Sequence, residues 1–539
     1  MRRYLLLSLA SALALAQSGS ISGARIRAHV RFLASDLLEG RGVGTRGGNL
    51  ATEYIASQFE LAGLKPAGGN GTYYQTVPMV GVTTDPRTTL SASRDGLDTS
   101  FAWLDDYVGV SQLQEPEASI DGEVVFAGHG ITAPEFQWDD YRGVDVRGKV
   151  LVMFTNEPPS TDPRFFAGPA LTYYGRWTYK YEEAARRGAK AVFLLYTRDT
   201  AGYGYEVVRS SFGKEDPQIE RSQGEAALTF TGWLNQGAAE KLAVMAGTTL
   251  EEMLKEANTR GFRARSLGVR LHGSFPSRVR KIVSRNVAGL VPGSDPKLKD
   301  QAIVFSAHWD HLGIGDPVNG DAIYNGAVDN ATGCGVLMEI ARAWAAQPEK
   351  PGRSALFLAV TAEEAGLRGS EYYARHPIIP PSRLALNLNF DALYPFGPTA
   401  DVSVTGAERT TAWPVVESIA RRMGLSITPD PHPDQGHYYR SDHFSFARFG
   451  VPAFSISMGT RFVGKPPEFA EKVFGEYVAH HYHQPSDEFD ESWDFSGLAQ
   501  MARFGMEIGL AVANQTALPG WRHGDEFAPA RQHSLEAGR

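Results

Sequence analysis

The sequence predicts an α/β fold: a mixed, mainly parallel sheet sandwiched by helices, with an inserted β-rich unit. Two observations predict the sheet. From about residue 276, short apolar runs alternate with amphipathic helical segments, which is typical of a mainly parallel sheet covered on both faces. In addition, histidine and acidic side chains follow successive apolar runs, as functional residues do at the carboxyl ends of strands. With 539 residues, the chain is long enough for two or three domains.

Apolar periodicity predicts the strands and helices of this sheet. Helix 331–346 carries Leu337, Ile340, Ala341 and Trp344 on one face, at the spacing of an α-helix. The strands are short apolar runs without that spacing, as expected of strands buried on both faces. Predicted strands cover residues 302–307, 354–361, 384–390 and 453–457, and the other predicted helices cover 412–423 and 494–513.

The region before residue 276 has a different pattern. Residues 24–65 predict helices joined by a loop, whose glycines at 40–48 imitate a phosphate-binding loop. They follow a helix rather than a strand, so a flexible loop is the preferred interpretation. Residues 110–275 predict a separate β-rich unit, in which His129 is interpreted as a loop residue. The predicted elements there are strands 124–127, 149–154 and 189–195 and helix 181–187.

The N-terminus has the pattern of a secretory signal peptide over residues 1–16. Arg2 and Arg3 precede an apolar run that is too short to span a bilayer comfortably, and Ala14-Leu15-Ala16 offers a cleavage site. We therefore expect a secreted or periplasmic protein without a stable membrane span after cleavage, with an uncleaved anchor as the alternative. Residues 516–539 mix proline, glycine, histidine and charge, and they predict a loose tail.

Charge and cysteine content exclude several kinds of site. The net charge of −8 and the absence of a basic run argue against nucleic acid as a partner. The single cysteine, Cys334, excludes an intrachain disulfide and a cysteine-rich zinc site. Its glycine neighbours favour a small residue packed at a helix start over a catalytic thiol. The sequence carries no signal for the oligomeric state.

Histidines and carboxylates at the ends of apolar runs or on short polar turns predict a two-metal hydrolytic site. Zinc binds imidazole nitrogen and carboxylate oxygen, and a catalytic zinc keeps one position open for water. One such pair would be weak support, whereas matched residues at successive strand ends are a strong signal. The candidates are His308, Asp310, Asp329, Glu363, Glu364, Asp391 and His483.

The residue types suggest individual roles. His308 is expected to bind metal as a neutral imidazole while Asp310 accepts its second ring N–H. Asp329 either caps the following helix or bridges two cations about 3.5–4 Å apart. Glu363 and Glu364 are adjacent and diverge on an extended segment, so one binds metal while the other stays free.

His483 lies in a polar loop that also contains Asp487. We expect Asp487 to orient the imidazole of His483. His480 and His481 are second choices for the same role.

Several segments resemble the co-catalytic dizinc aminopeptidases, whose relatives include glutamate carboxypeptidases and glutaminyl cyclases. The matching segments are SAHWDHLG at 306–313, GAVDNATG at 326–333, TAEEAGLRGS at 361–370, NFD at 389–391 and YHQPSD at 482–487. LASDLLEGR at 33–41 resembles the family's opening segment, and DYRGVDVRGKV at 140–150 resembles a protease-associated domain. The resemblance implies a zinc exopeptidase domain made of residues 24–109 and 276–515, with a protease-associated domain inserted at 110–275.

The resemblance also implies a ligand set for two Zn²⁺ per chain. Glu363 would be the general base, which takes a proton from the attacking water and passes it to the leaving amine. The Arg440–His443 segment resembles a stretch near the family's site and is given no role; a turn before the strand at 453 is an equal alternative. One zinc would be held by His308 and Asp391 and the other by Glu364 and His483, with Asp329 bridging and the Asp329–Asn330 peptide cis.

We therefore expect a secreted zinc-dependent aminopeptidase that hydrolyses N-terminal residues from peptide substrates. Glutamate-carboxypeptidase-like activity stays open, because the spacing shows neither an acidic group for an ammonium nor arginines for a carboxylate. Glutaminyl-cyclase-like activity, which the resemblance associates with a single zinc, is a further alternative. A non-catalytic binding protein on this scaffold is the third, and it would be expected to have lost ligands or the base.

Overall fold

The computed structural model describes residues 20–430 and 432–538 and contains both strands and helices. The predicted signal peptide at 1–16 lies outside the described residues. The strands are β1 (Lys65–Pro66), β2 (Tyr74–Thr84), β3 (Thr89–Arg94), β4 (Leu97–Phe101), β5 (Tyr107–Val110), β6 (Ser119–Phe126), β7 (Thr132–Ala133), β8 (Trp138–Asp139), β9 (Val150–Phe154), β10 (Ala191–Leu195), β11 (Asp216–Ile219), β12 (Phe230–Leu234), β13 (Arg265–Ser274), β14 (Ser277–Val291), β15 (Ala302–His308), β16 (Gly313–Val318), β17 (Asp321–Tyr324), β18 (Ser354–Val360), β19 (Leu384–Asn389), β20 (Asp401–Ser403), β21 (Ser426–Ile427), β22 (Ala453–Ser455) and β23 (Ser457–Met458).

The α-helices vary from one turn to five turns in length. They are α1 (Gly23–Leu33), α2 (Arg46–Leu61), α3 (Trp177–Arg186), α4 (Arg198–Ala201), α5 (Tyr205–Phe212), α6 (Gln236–Met245), α7 (Leu250–Ala257), α8 (Thr332–Ala345), α9 (Arg368–Arg375), α10 (Trp413–Arg422), α11 (His443–Arg448), α12 (Phe469–His480), α13 (Ser496–Ala513) and α14 (Ala528–Ala537). None of these helices in the described part of the chain has the length and apolar content needed to cross a membrane.

The described residues form two units. The first contains residues 20–77, 283–430 and 440–538, and the second contains 78–282 and 432–439. The predicted protease-associated domain at 110–275 lies within the numbering of the second unit.

The first unit contains a mixed sheet in the order β14-β18-β15-β19-β22. β14 is antiparallel to β18, whereas β18, β15, β19 and β22 are mutually parallel. Every residue of β15, β18 and β19 is buried, so the sheet is covered on both faces. The fold class predicted from the alternating pattern is therefore confirmed.

The two faces of this sheet differ in chemistry. Ile303, Phe305 and Ala307 of β15 alternate into an apolar core formed with α1, α2, α8 and α13. The opposite face carries a chain of buried polar side chains that runs toward the carboxyl ends of the strands. Asn387 Nδ2 donates to Ser306 Oγ at 2.9 Å, and Ser306 Oγ donates to Asn389 Oδ1 at 2.7 Å.

The second unit is built on its own mixed sheet, in the order β4-β3-β13-β6-β9-β10-β12-β5. Its central strands β6, β9, β10 and β12 are parallel, and helices connect β9 to β10 and β12 to β13. His129 follows β6, as expected for a loop residue, and it is buried with Nδ1 3.2 Å from the carbonyl oxygen of Thr155.

The predicted loose tail is wrong. Residues 528–537 form α14, and Arg531 is 4% exposed. Its guanidinium donates to the carbonyl oxygens of Pro381, Leu384 and Pro519 at 2.8, 3.0 and 3.1 Å. The composition of this segment did not predict the helix, because a few buried side chains hold it in place and it has no apolar stripe.

Candidate metal centre

Three of the candidate segments reach the same edge of the sheet. His308 is the last residue of β15, Glu363 and Glu364 follow β18, and Asp391 follows β19. Because these strands are parallel and adjacent, their carboxyl ends bring the side chains together. The backbone turns sharply at Ala362 (φ 53°) and Ala392 (φ 50°), a left-handed conformation that costs a non-glycine residue about 1–3 kcal/mol.

Two further segments approach from outside the sheet. Asp329 lies just before α8 in a fully buried segment, and the Asp329–Asn330 peptide is cis, as the resemblance implied. Asn330 anchors this segment, since its Nδ2 donates to the carbonyl oxygen of Phe390 at 3.0 Å. His483 follows α12 and has a left-handed backbone with φ 57°.

The carboxylate of Asp329 lies between the two predicted imidazoles. Its Oδ1 is 3.2 Å from His308 Nε2, and its Oδ2 is 3.4 Å from His483 Nε2. One oxygen facing each histidine is the arrangement that a bridging carboxylate requires. The alternative role as an N-cap is not observed, because the N-cap residue of α8 is Ala331.

The remaining predicted ligands extend this arrangement to either side. His308 Nε2 is also 3.1 Å from Asp391 Oδ1, and His483 Nε2 is 2.9 Å from Glu364 Oε2. The structure thus brings together all five residues predicted as metal ligands. Of the second choices, His480 is exposed, and His481 places Nδ1 2.9 Å from the carbonyl oxygen of Ser486.

Asp310 is in the site, but its expected contact with His308 is wrong. Nδ1 of His308 lies 3.1 Å from the main-chain oxygen of Asp310 and 3.9 Å from Oδ1. The carboxylate of Asp310 instead accepts from the backbone N–H of Glu363 at 3.1 Å. Because β15 ends at His308, the next residues turn and place a carbonyl, rather than a side chain, behind the ring.

The expected pairing of Asp487 with His483 is also wrong. The Asp487 carboxylate accepts from the backbone N–H groups of Val328 and Asp329 at 3.0 and 3.1 Å, and from the Tyr477 hydroxyl at 3.1 Å. Asp487 therefore holds the segment that carries Asp329. Buried backbone N–H groups need an acceptor, and the Asp487 carboxylate supplies one to both of them.

Arg41 is a supporting residue that the sequence did not single out. Its side chain is 1% exposed and donates only to backbone carbonyls. The acceptors are Trp309 (2.8 Å), Leu33 (2.7 Å), Asn325 (2.5 Å) and Gly326 (2.8 Å). It thereby joins the segment after His308 to the segment before Asp329.

The Arg440–His443 segment, which had no assigned role, supplies a second support. Ser441 Oγ donates to Asp391 Oδ2 at 2.5 Å and accepts from Asn389 Nδ2 at 2.7 Å. The buried polar chain on the sheet thus ends at Asp391, and it leaves Oδ1 of that residue directed to His308. Neighbouring Asp442 is buried, and burial raises its pKa to about 7.

Burial and mutual charge set the protonation of the site. Burial raises the pKa of Glu363 well above its usual value and outweighs the lowering by His308. Burial also raises the pKa of Glu364, but His483 and His311 reverse this and hold it well below its usual value. The Cys334 thiol, whose Sγ lies 3.1 Å from the carbonyl oxygen of His308, has its pKa raised to about 12 by burial, which excludes a thiolate nucleophile at neutral pH.

The donor set fits zinc. Within the described residues, several buried polar atoms of the site make no hydrogen bond, which is rare in proteins. They are His311 Nδ1 and Nε2, His483 Nδ1, Glu364 Oε1 and Asp310 Oδ2. Two groups of imidazole and carboxylate donors, each with ligand atoms within 4.8 Å of one another, share Asp329. Mixed nitrogen and oxygen donors around a shared carboxylate are typical of paired zinc sites.

Comparisons with known proteins agree with this geometry. Residues 286–506 match the model of peptidase family M28. A "probable zinc metalloprotease" of Pyricularia oryzae is 36% identical over 108 residues, which is 20% of this chain and only 20% of that protein's length.

One solved structure extends the comparison to the fold. The aminopeptidase from Aneurinibacillus sp. strain AM-1 is 18% identical, with a TM-score of 0.54 over 93% of this chain and 96% of that one. The zinc aminopeptidase BSAP from Bacillus subtilis is 17% identical, with a TM-score of 0.44 over 94% and 97% of the two chains. Every strand end that carries a candidate ligand lies within residues 286–506, the region that matches the model of peptidase family M28.

Proposed function

We propose that the protein is a zinc-dependent aminopeptidase that removes N-terminal residues from peptides with two Zn²⁺ per chain. The observation that carries the proposal is the position of Asp329, with one oxygen facing His308 and the other facing His483. The name of the Aneurinibacillus structure and the description of the Pyricularia protein support an aminopeptidase and zinc, respectively.

The protein's residues divide the work of peptide hydrolysis. Zinc ions bound by His308, Asp391, Asp329, Glu364 and His483 would polarise the scissile carbonyl and lower the pKa of a water molecule. Glu363 would accept the proton of the attacking water on its carboxylate and deliver it to the leaving amine. Asp310 fixes the backbone of Glu363 through the 3.1 Å hydrogen bond and so positions the base.

The raised pKa of Glu363 suits this role. A carboxylate with a raised pKa holds a proton taken from water more firmly than an ordinary carboxylate does. Asp391 and Glu364 raise this pKa in addition to burial. Positioned acid–base groups contribute about 10²–10⁴-fold to rate.

The decisive variant is Glu363→Gln, with Glu491→Gln as the matched control because the Glu491 side chain is 64% exposed. Hydrolysis of aminoacyl chromogenic substrates is expected to fall by about 10²–10⁴-fold in Glu363→Gln alone, with the zinc content of both variants unchanged. Near-normal turnover by Glu363→Gln would refute the assignment of the base.

The same assay separates the alternatives. An aminopeptidase requires a free N-terminus, so N-acetylated peptides are expected to resist cleavage. A glutamate carboxypeptidase would release C-terminal glutamate from those blocked peptides, and a cyclase would convert N-terminal glutamine without hydrolysis. A binding protein would hydrolyse none of these substrates, even with its zinc sites fully occupied. One zinc per chain by elemental analysis would favour the cyclase.

We further propose that the protein is exported and that residues 110–275 are a protease-associated domain. The support is the signal-peptide pattern at 1–16 and the segment at 140–150. A mature N-terminus at Gln17 is expected on sequencing, and an intact Met1 would contradict export. An experimental structure in which residues 110–275 superpose on no protease-associated domain would contradict the second assignment.

A further inference from the structure

His311 belongs to the segment after β15 and is the buried histidine of the site that the predicted ligand set does not use. Its side chain is 0% exposed. Nδ1 lies 2.6 Å from Glu364 Oε1, at ion-pair distance, and neither of these two atoms takes part in a hydrogen bond. Neither ring nitrogen has a hydrogen-bond partner within residues 20–430 and 432–538.

The surroundings of His311 are those of a ligand. His311, Asp329 and Glu364 each offer an atom within 4.8 Å of the others. Glu364 presents one oxygen to His311 and the other to His483, at 2.6 and 2.9 Å. The rings of His311 and His483 meet edge to face with centroids 5.8 Å apart, so both imidazoles border the same carboxylate.

His308 provides a comparison, because one of its ring nitrogens contacts the main chain and only the other is available to a metal ion. Its Nδ1 is 3.1 Å from a main-chain oxygen, and its Nε2 faces Asp329 and Asp391. His311 has no such outer partner among the described residues, and its Nδ1 converges with a carboxylate oxygen on a common point. A cation at that point would satisfy both atoms, whereas a purely structural histidine would be hydrogen-bonded.

We propose that His311, through Nδ1, is a fourth protein ligand of the cation held by Asp329, Glu364 and His483. The inference rests on the proposed two-zinc function. With this additional ligand the two metal positions differ, since one is bound by the imidazole of His308 alone and the other by those of His483 and His311. The nitrogen-rich position would prefer zinc, copper or nickel over magnesium or calcium, and it would release its ion more slowly to a chelator.

The first test measures metal affinity rather than turnover. Full-length protein is loaded with Zn²⁺ and titrated with competing chelators, and the bound metal is counted by mass spectrometry. His311→Gln keeps an N–H donor for Glu364 but loses the imidazole. His129→Gln is the matched control, since His129 is buried outside the site. Loss of a residue that only hydrogen-bonds to a ligand weakens metal binding about 10–100-fold, and loss of a ligand should cost at least as much. We therefore expect the affinity for one of the two zinc ions to fall by at least about 100-fold in His311→Gln and to stay unchanged in His129→Gln.

The second test needs no variant. Wild-type protein labelled with ¹⁵N in its histidines is loaded with ¹¹³Cd²⁺, and cadmium–nitrogen couplings are counted by NMR. Three coupled imidazoles are expected, one of them through Nδ1 of His311. Two coupled imidazoles, or His311→Gln that retains both zinc ions at wild-type affinity, would overturn the inference and leave the proposed function intact. A wild-type protein that binds fewer than two cations would overturn both.

Discussion

Replacement of Arg41 by lysine tests whether the N-terminal segment holds the metal centre together. The guanidinium donates to the carbonyls of Trp309, Leu33, Asn325 and Gly326, and it is 1% exposed. A lysine ammonium has three donors on one atom and lacks the planar fork, so it cannot reproduce these four bonds.

The magnitude follows from the acceptors that are left without a donor. A buried unsatisfied carbonyl costs about 1–3 kcal/mol. With two of the four carbonyls left without a donor, Arg41→Lys is expected to lower the free energy of unfolding by about 2–6 kcal/mol. The control is Arg46→Lys, whose side chain is 72% exposed; a surface change of this kind is usually within about 0.5 kcal/mol.

Two measurements test the prediction for Arg41→Lys. Urea unfolding gives the stability of each variant, and a chelator titration gives zinc affinity. Both are expected to fall in Arg41→Lys, because the acceptor segments flank His308 and Asp329. If Arg41→Lys matches Arg46→Lys in both measurements, the four hydrogen bonds do not support the site and the reasoning fails.

Three further outcomes are expected. Removal of zinc by a chelator should lower the midpoint of thermal unfolding. Free zinc at one hundred times its Kd adds about 2.7 kcal/mol per site to the free energy of unfolding. An unchanged midpoint in calorimetry would argue against bound metal. Burial lowers the pKa of His129 from 6.5 to about 4, so stability is retained above pH 6.5 and lost as the pH falls toward 4. Lowering the pH from 7 to 5 should reduce the free energy of unfolding by about 2 kcal/mol through this histidine alone. Urea titrations at the two pH values should therefore show a smaller loss of stability in His129→Gln than in the wild type. Equal losses would contradict a buried neutral ring. Arg531→Met leaves three carbonyls without a donor and should lower the unfolding free energy by at least about 3 kcal/mol, whereas Arg522→Met at an exposed position should not. Equal stability of the two variants in urea would disprove the docking role of α14.

The strand ends were predictable from the sequence because apolar runs and ligand residues have a fixed order in parallel sheets. His308 and Asp391 could be placed at one edge without knowing any contact, since each directly follows a run of buried residues. Asp329 was predictable as a site residue, and its choice between helix cap and bridge required the distances to two imidazoles.

The contacts of Arg41, Asp310 and Asp487 could not be predicted, because they depend on main-chain atoms. Asp310 and Asp487 were placed in the right region with the wrong partners, and both carboxylates accept from backbone N–H groups. His311 has the same residue type as the predicted ligands and lies three positions after His308. Its ring is buried and makes no hydrogen bond among the described residues; this is the signal for its proposed role, and a sequence does not display it.

The first unit is assembled from three separate stretches of chain, and this has a consequence for biosynthesis. Arg41 leaves the ribosome early, His483 late and Arg531 later still. A nascent chain or a prematurely terminated product that stops before residue 483 lacks one of the proposed metal ligands, so under the proposed function it would be inert as a hydrolase. The producing cell would thus be protected from incomplete copies by the order of the sequence alone.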